Sequence, residues 1–121
     1  MKIREIKELL NAQVLCCEEG LESEVNSACG SDMMSDVLAY VKDQAVLLTG
    51  LLNAQVIRTA EMMDMVCIVF VRSKMPTPEM LELAKQHDMV ILATSLRMYE
   101  ACGRLYNAGL GSSKVSGEDN E

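Results

Sequence analysis

Apolar and polar residues follow two different periods along the chain, and each change of period marks an element. Ile3, Ile6, Leu9 and Leu10 fall on one face of a helix over residues 3–10. The run Ala12-Gln13-Val14-Leu15-Cys16-Cys17, ending in Glu18-Glu19-Gly20, predicts a strand and a turn, and Val25 to Cys29 a further short strand before Gly30-Ser31-Asp32. Ser35 is the expected cap of a helix bearing Val37, Leu38 and Val41 at helical spacing, with Asp36 favourable near its positive end.

From residue 45 the pattern becomes regular. Ala45-Val46-Leu47-Leu48-Thr49 predicts a strand broken by Gly50, and Asn53 caps a helix to about Met63. Val66-Cys67-Ile68-Val69-Phe70-Val71 is apolar on both faces and rich in β-branched residues, as a central strand covered on both sides must be. Thr77-Pro78-Glu79 starts the next helix: a cap, a proline suited to the first helical position, and an acid that complements the dipole. Val90-Ile91-Leu92-Ala93 is a third strand, Thr94-Ser95 the expected cap of a last helix, and Gly109 its end. Strands recurring about every 21–24 residues with a helix between them require parallel crossovers, so the expected fold class is α/β, a three-layer α/β/α arrangement with a mainly parallel central sheet. One such domain takes up residues 1–110, and the small, polar stretch 111–121 is expected to be a disordered acidic tail.

Charge narrows the partners. Eleven basic and 18 acidic residues give −7, against the basic surface that nucleic acid or an anionic membrane requires. The first ten residues interleave charged and apolar side chains, so no signal peptide is expected. The longest apolar run, Met65 to Val71, is far shorter than the ~20 residues of a membrane span. A cytoplasmic location follows as the expectation.

Five cysteines, an odd number with no Cys-x-x-Cys pair, imply reduced thiols and neither a disulfide framework nor a zinc or iron–sulfur site. No cofactor or metal is expected. Cys16 and Cys67 suit strand cores and Cys102 tight helix packing, whereas Cys29, beside Gly30 at a loop, is the reactive-thiol candidate. The ten methionines are expected mainly as core filler. His87 is placed at an exposed helix end, where it suits the dipole.

In an open parallel sheet a ligand sits beyond the carboxyl ends of the strands. There the sequence places Gly30, Ser31 and Asp32, then Thr49, Gly50 and Asn53, then Arg72 with Lys74, then Thr94 and Ser95. Hydroxyls, loop amides and two cations together suit an anion. The alternative is that Asn53, Thr94 and Ser95 cap helices and the two cations are solvated. No phosphate loop Gly-x-x-x-x-Gly-Lys-Ser/Thr and no Gly-x-Ser-x-Gly elbow occurs. No catalytic residue is assigned, and kinase or phosphatase activity is not expected, because phosphoryl transfer needs amides, a lysine and carboxylates gathered around the phosphates.

The segments Gly30-Ser31-Asp32-Met33-Met34-Ser35-Asp36-Val37-Leu38-Ala39-Tyr40, Leu47-Leu48-Thr49-Gly50, Pro78-Glu79-Met80-Leu81-Glu82-Leu83-Ala84 and Val90-Ile91-Leu92-Ala93-Thr94 resemble the DRTGG domain family over residues 2–110. Leu51-Leu52 stands where that family carries Asp-Arg, and Arg72-Ser73-Lys74 stands in its Gly-Gly region. Similar domains accompany CBS pairs in regulated pyrophosphatases, occur in phosphate acetyltransferases and at the N-terminus of HPr kinase/phosphatase, and stand alone beside iron-only hydrogenase subunits. The resemblance implies an α/β/α fold, dimerisation and a regulatory role. A half-hydrophobic chain with 3% aromatics is also expected to leave an apolar patch for a homodimer. The leading expectation is a non-catalytic regulatory or adaptor module that dimerises and docks on hydrogenase or other redox-complex subunits. The alternatives are a sensor of a small anionic metabolite or nucleotide at the strand ends, and a redox or iron–sulfur accessory protein using Cys29.

Overall fold

A computed structural model describes residues 1–40 and 44–111. Its elements are α1 (Ile3–Leu9), β1 (Gln13–Cys16), a 3-10 turn (Glu18–Gly20), β2 (Ser27–Gly30), α2 (Met34–Tyr40), β3 (Ala45–Thr49), α3 (Ala54–Met62), β4 (Cys67–Phe70), α4 (Pro78–Gln86), β5 (Val90–Ala93) and α5 (Met98–Asn107). The strands form one sheet in the order β1-β5-β4-β3-β2. β2 to β5 run parallel, and β1 closes the far edge antiparallel to β5 with an irregularity between Val14 and Cys16.

Consecutive parallel strands lying side by side place their three crossover helices on one face. There Val37 of α2, Val56, Ile57 and Ala60 of α3, and Met80 and Ala84 of α4 pack on Ala45, Leu47, Ile68, Phe70 and Ile91. The alternate strand residues Val46, Leu48, Cys67, Val69, Val90 and Leu92 face the other way, against Ile3 and Ile6 of α1 and Ala101 and Leu105 of α5. The expected three layers and mainly parallel sheet are therefore observed, with β3, β4 and β5 buried throughout. Among the described residues two helices cover one face and three the other.

Asn53 and Thr77 cap their helices as the sequence indicates, each side chain accepting from the backbone N–H three residues on. Gly109 follows α5 at φ 105°, where a side chain would be strained. Three caps and boundaries differ from expectation. The second strand starts at Ser27, not Val25. Ser35 lies inside α2, and Ser31 instead turns the chain before it, its Oγ accepting from Met33 N–H. Thr94 and Ser95 do not cap α5, which begins after Arg97; Thr94 donates to Leu10 carbonyl and accepts from Leu96 N–H, tying β5 to α1.

Leu38 and the methionines Met33, Met62 and Met75 are exposed, so core filling accounts for only part of the methionine content. Val41 and the residues after Gly111 lie outside the described residues. Gly111 itself sits on the outer edge of β2, its carbonyl accepting from Ala28 N–H at 2.9 Å. No helix among the described residues is long and apolar enough to cross a membrane.

Candidate functional site

Because β2 to β5 are parallel, their C-terminal ends share one edge of the sheet, and all nine residues proposed from the sequence as a ligand site lie along it. They fall into two groups, with Asn53 occupied separately in capping α3.

The first group centres on Asp32. Its Oδ1 accepts from Thr49 Oγ1 and from Gly50 N–H, both at 2.8 Å. Thr49 Oγ1 also accepts from Leu51 N–H at 3.2 Å, so the Thr49 hydroxyl, fully buried, is used in both directions. The Gly50 N–H bond, more than any other influence, holds the Asp32 carboxyl below the usual carboxylate range; Thr49 and the charges of Arg72 and Lys74 add to the effect. Asp32 is therefore a clasp from the end of β2 to the end of β3. Its carboxylate takes up the Gly50 amide at the β3 turn.

Arg72 covers this clasp. Its guanidinium lies over Gly50 so closely that a side chain there would strike it, and Nη2 meets Asp32 Oδ2 at 3.9 Å. Both side chains are about half exposed, 48% and 51%. The path of the backbone explains the reach: Arg72 and Ser73 both adopt left-handed conformations, φ 60° and 58°, which cost a residue with a Cβ ~1–2 kcal/mol each. Their amides donate to Leu96 and Thr94 carbonyls, fixing the β4 end against the β5 end.

The second group lines a separate cleft of about 490 Å³ between the ends of β4 and β5 and the start of β1. Ser73, Thr94 and Ser95 lie there with Asn11, Gln13 and Met75. Asn11 and Gln13 were not singled out in the sequence, because β1 carries no signal of antiparallel pairing with β5. Gly30 serves packing: a Cβ there would lie 2.6 Å from Cys102 Sγ.

The thiols are all free. Cys29 is half-buried on the α2–α3 face, and burial, helped by Cys102 and Asp36, pushes its thiol up. Burial likewise raises Cys16, Cys67 and Cys102, and pushes Cys17 up to about 12. Raised thiols hold little nucleophilic thiolate. Among the described residues no group of three or more His, Cys, Asp or Glu side chains could hold a metal ion. His87 ends α4 on the opposite edge of the sheet, with Nδ1 4.0 Å from Glu61.

The DRTGG domain family matches residues 5–108. The chain belongs to the DRTGG domain family. Its fold is similar to the CBS and DRTGG domains of the regulatory region of Clostridium perfringens pyrophosphatase, solved with the activator diadenosine tetraphosphate, at a TM-score of 0.69 and 16% identity. That likeness covers 98% of this chain and 51% of the other, so this chain spans about half the length of that one. Among curated protein sequences no significant match is found. Arg72 and Ser73, which the sequence resemblance sets against the Gly-Gly region of this family, hold the left-handed backbone that glycine adopts without cost.

Proposed function

We propose that this DRTGG domain is a non-catalytic regulatory module that senses a small anionic metabolite or nucleotide at the strand C-terminal edge. One observation carries the reading: Arg72 is presented by a strained backbone turn yet meets Asp32 only at 3.9 Å, leaving most of its five donors for another acceptor. A phosphate reaching Arg72 and Lys74 competes with Asp32 for the guanidinium. The neighbouring cleft offers the neutral polar groups of Asn11, Gln13, Ser73 and Ser95 to a ribose or base. Displacement of Arg72 from Gly50 and Asp32 transmits occupancy to the ends of β2 and β3. That the regulatory region of the pyrophosphatase was solved with a dinucleotide activator supports nucleotides as the first class to try.

The test is a thermal-shift screen of the intact chain with nucleoside mono-, di- and triphosphates, diadenosine tetraphosphate and inorganic phosphate. A ligand at 100 times its Kd adds ~2.7 kcal/mol, a rise of several degrees in Tm that Arg72→Ala abolishes. Absence of any shift at millimolar concentrations overturns the reading.

A dimerising adaptor is the second reading, favoured by the exposure of Tyr99 and Tyr106 on α5. Docking on a hydrogenase-type complex belongs to this reading as a proposal; pull-down of hydrogenase subunits by the tagged chain, lost when Tyr99 and Tyr106 are changed to serine, would support it. A cytoplasmic location is proposed with either reading.

A further inference from the structure

Arg72 and Ser73 are consecutive beyond the end of β4, yet they serve different sides of that turn. The Arg72 guanidinium lies over Gly50 at the end of β3, whereas Ser73 lines the cleft between the end of β5 and the start of β1. Neighbouring Cα atoms are ~3.8 Å apart, so a phosphate held at Arg72 has this cleft directly beside it.

The cleft has the chemistry of a flat, uncharged ring. At about 490 Å³ it falls within the ~300–1,000 Å³ of small-molecule sites. Ala12 and Ala93, both buried, contribute only methyl groups to it, so nothing bulky projects from this part of its surface. Met75, 52% exposed, adds a polarizable thioether of the kind that packs against aromatic rings. Among the described residues no charged side chain lines the cleft.

Its polar groups are also uncommitted. Asn11, Gln13, Ser73 and Ser95 are exposed, and among the described residues none of these four side chains has a hydrogen-bond partner in the chain. Elsewhere on the same edge Asn53, Ser31 and Thr94 spend theirs on a cap, a turn and a tie to α1. An amide side chain carries a donor and an acceptor in one plane, the arrangement that pairs with the edge of a nucleobase. A pentose presents its hydroxyls in no such plane, and free phosphate calls for neither the amides nor the thioether.

We infer that this cleft is a nucleobase subsite, the base lying on Ala12 and Ala93 against Met75 and its edge read by Asn11 and Gln13. Ser73, next to Arg72, faces the ribose that joins base to phosphate. The inference rests on the sensing reading and narrows its ligand to a nucleotide, as opposed to a sugar phosphate or free phosphate.

Calorimetric titration of the full chain with inorganic phosphate, ribose 5-phosphate and the four common nucleoside 5′-monophosphates tests it. The tightest nucleotide should bind about tenfold more strongly than ribose 5-phosphate, and Gln13→Ala should remove that advantage while leaving ribose 5-phosphate unchanged. Gln13 is exposed at the start of an edge strand, so its truncation spares the fold. The Ala12 and Ala93 methyl resonances should move by ring current with the nucleotide and stay in place with ribose 5-phosphate. Equal binding of nucleotide and ribose 5-phosphate, both lost in Arg72→Ala, overturns the base subsite and leaves the anion sensor standing. A nucleotide advantage that Gln13→Ala leaves intact, or that comes without the methyl shifts, overturns the subsite in the same way. Binding of none of the six overturns both.

Discussion

Replacing Asp32 separates the role of its oxygen from that of its charge. Oδ1 accepts both the Thr49 hydroxyl and the Gly50 N–H at 2.8 Å. Asp32→Ala leaves two donors without an acceptor, beside a threonine that is fully buried. An orphaned donor costs about 1 kcal/mol or more, and since Asp32 is half exposed, water recovers part of this, giving a loss of about 2 kcal/mol. With a urea m-value of ~1.5 kcal/mol/M the unfolding midpoint falls by about 1.3 M. Asp32→Asn keeps an oxygen at the Oδ1 position and loses only charge, so its cost should be about 0.5–1 kcal/mol. The pH dependence adds a second reading of the same contact. The folded-state pKa of Asp32 lies below its unfolded value, so its contribution is complete above the unfolded pKa of ~3.9 and disappears as pH falls through the folded value. The gap between wild type and Asp32→Asn should therefore be constant from neutral pH to about 5 and close below about 4. An Ala variant within 0.5 kcal/mol of wild type, or an Asn variant as unstable as Ala, would refute the clasp.

Further outcomes follow from the same geometry. Ser73→Gly removes a left-handed penalty while adding chain entropy, and should raise stability by about 0.5 kcal/mol in urea titration; a loss of stability would show that the Ser73 side chain is needed in its cleft. Phe70→Ala, at the fully buried centre of the sheet, should cost about 3–5 kcal/mol by the same method. Gly50→Ala should displace the mobile end of Arg72 at little cost to stability while weakening any response to an anionic ligand in the thermal-shift screen. The five thiols should react with a disulfide reagent at pH 8 far more slowly in the native protein than in denaturant, and a fast native Cys29 would revive the redox reading.

Most of the fold was legible because its signals are local. Asn53, Thr77-Pro78 and Gly109 act within one turn of their helices, and the β3, β4 and β5 runs are apolar on both faces because both faces are covered. Signals failed where tertiary contacts overrode a local rule. Thr94 has the chemistry of a cap but spends its hydroxyl on Leu10, 84 residues away. Ser35 has the chemistry of a cap but lies inside α2, and Ser31 turns the chain before it, its Oγ accepting from Met33 N–H. The site was legible as a place, since parallel strand ends converge, but not as a mechanism. Nothing local shows that Asp32 crosses to β3, or that Arg72 takes a left-handed backbone.

The sensing role is tested most directly by following backbone amides in a 15N-labelled sample during titration with diadenosine tetraphosphate and simpler nucleotides. Saturable shifts should concentrate at Gly50, Arg72, Ser73 and Ser95, with Asp32 following as its partner is drawn away, and Arg72→Ala should remove them. Unchanged spectra at millimolar ligand, or shifts confined to α5 and the opposite edge around His87, would contradict a sensor at the strand ends.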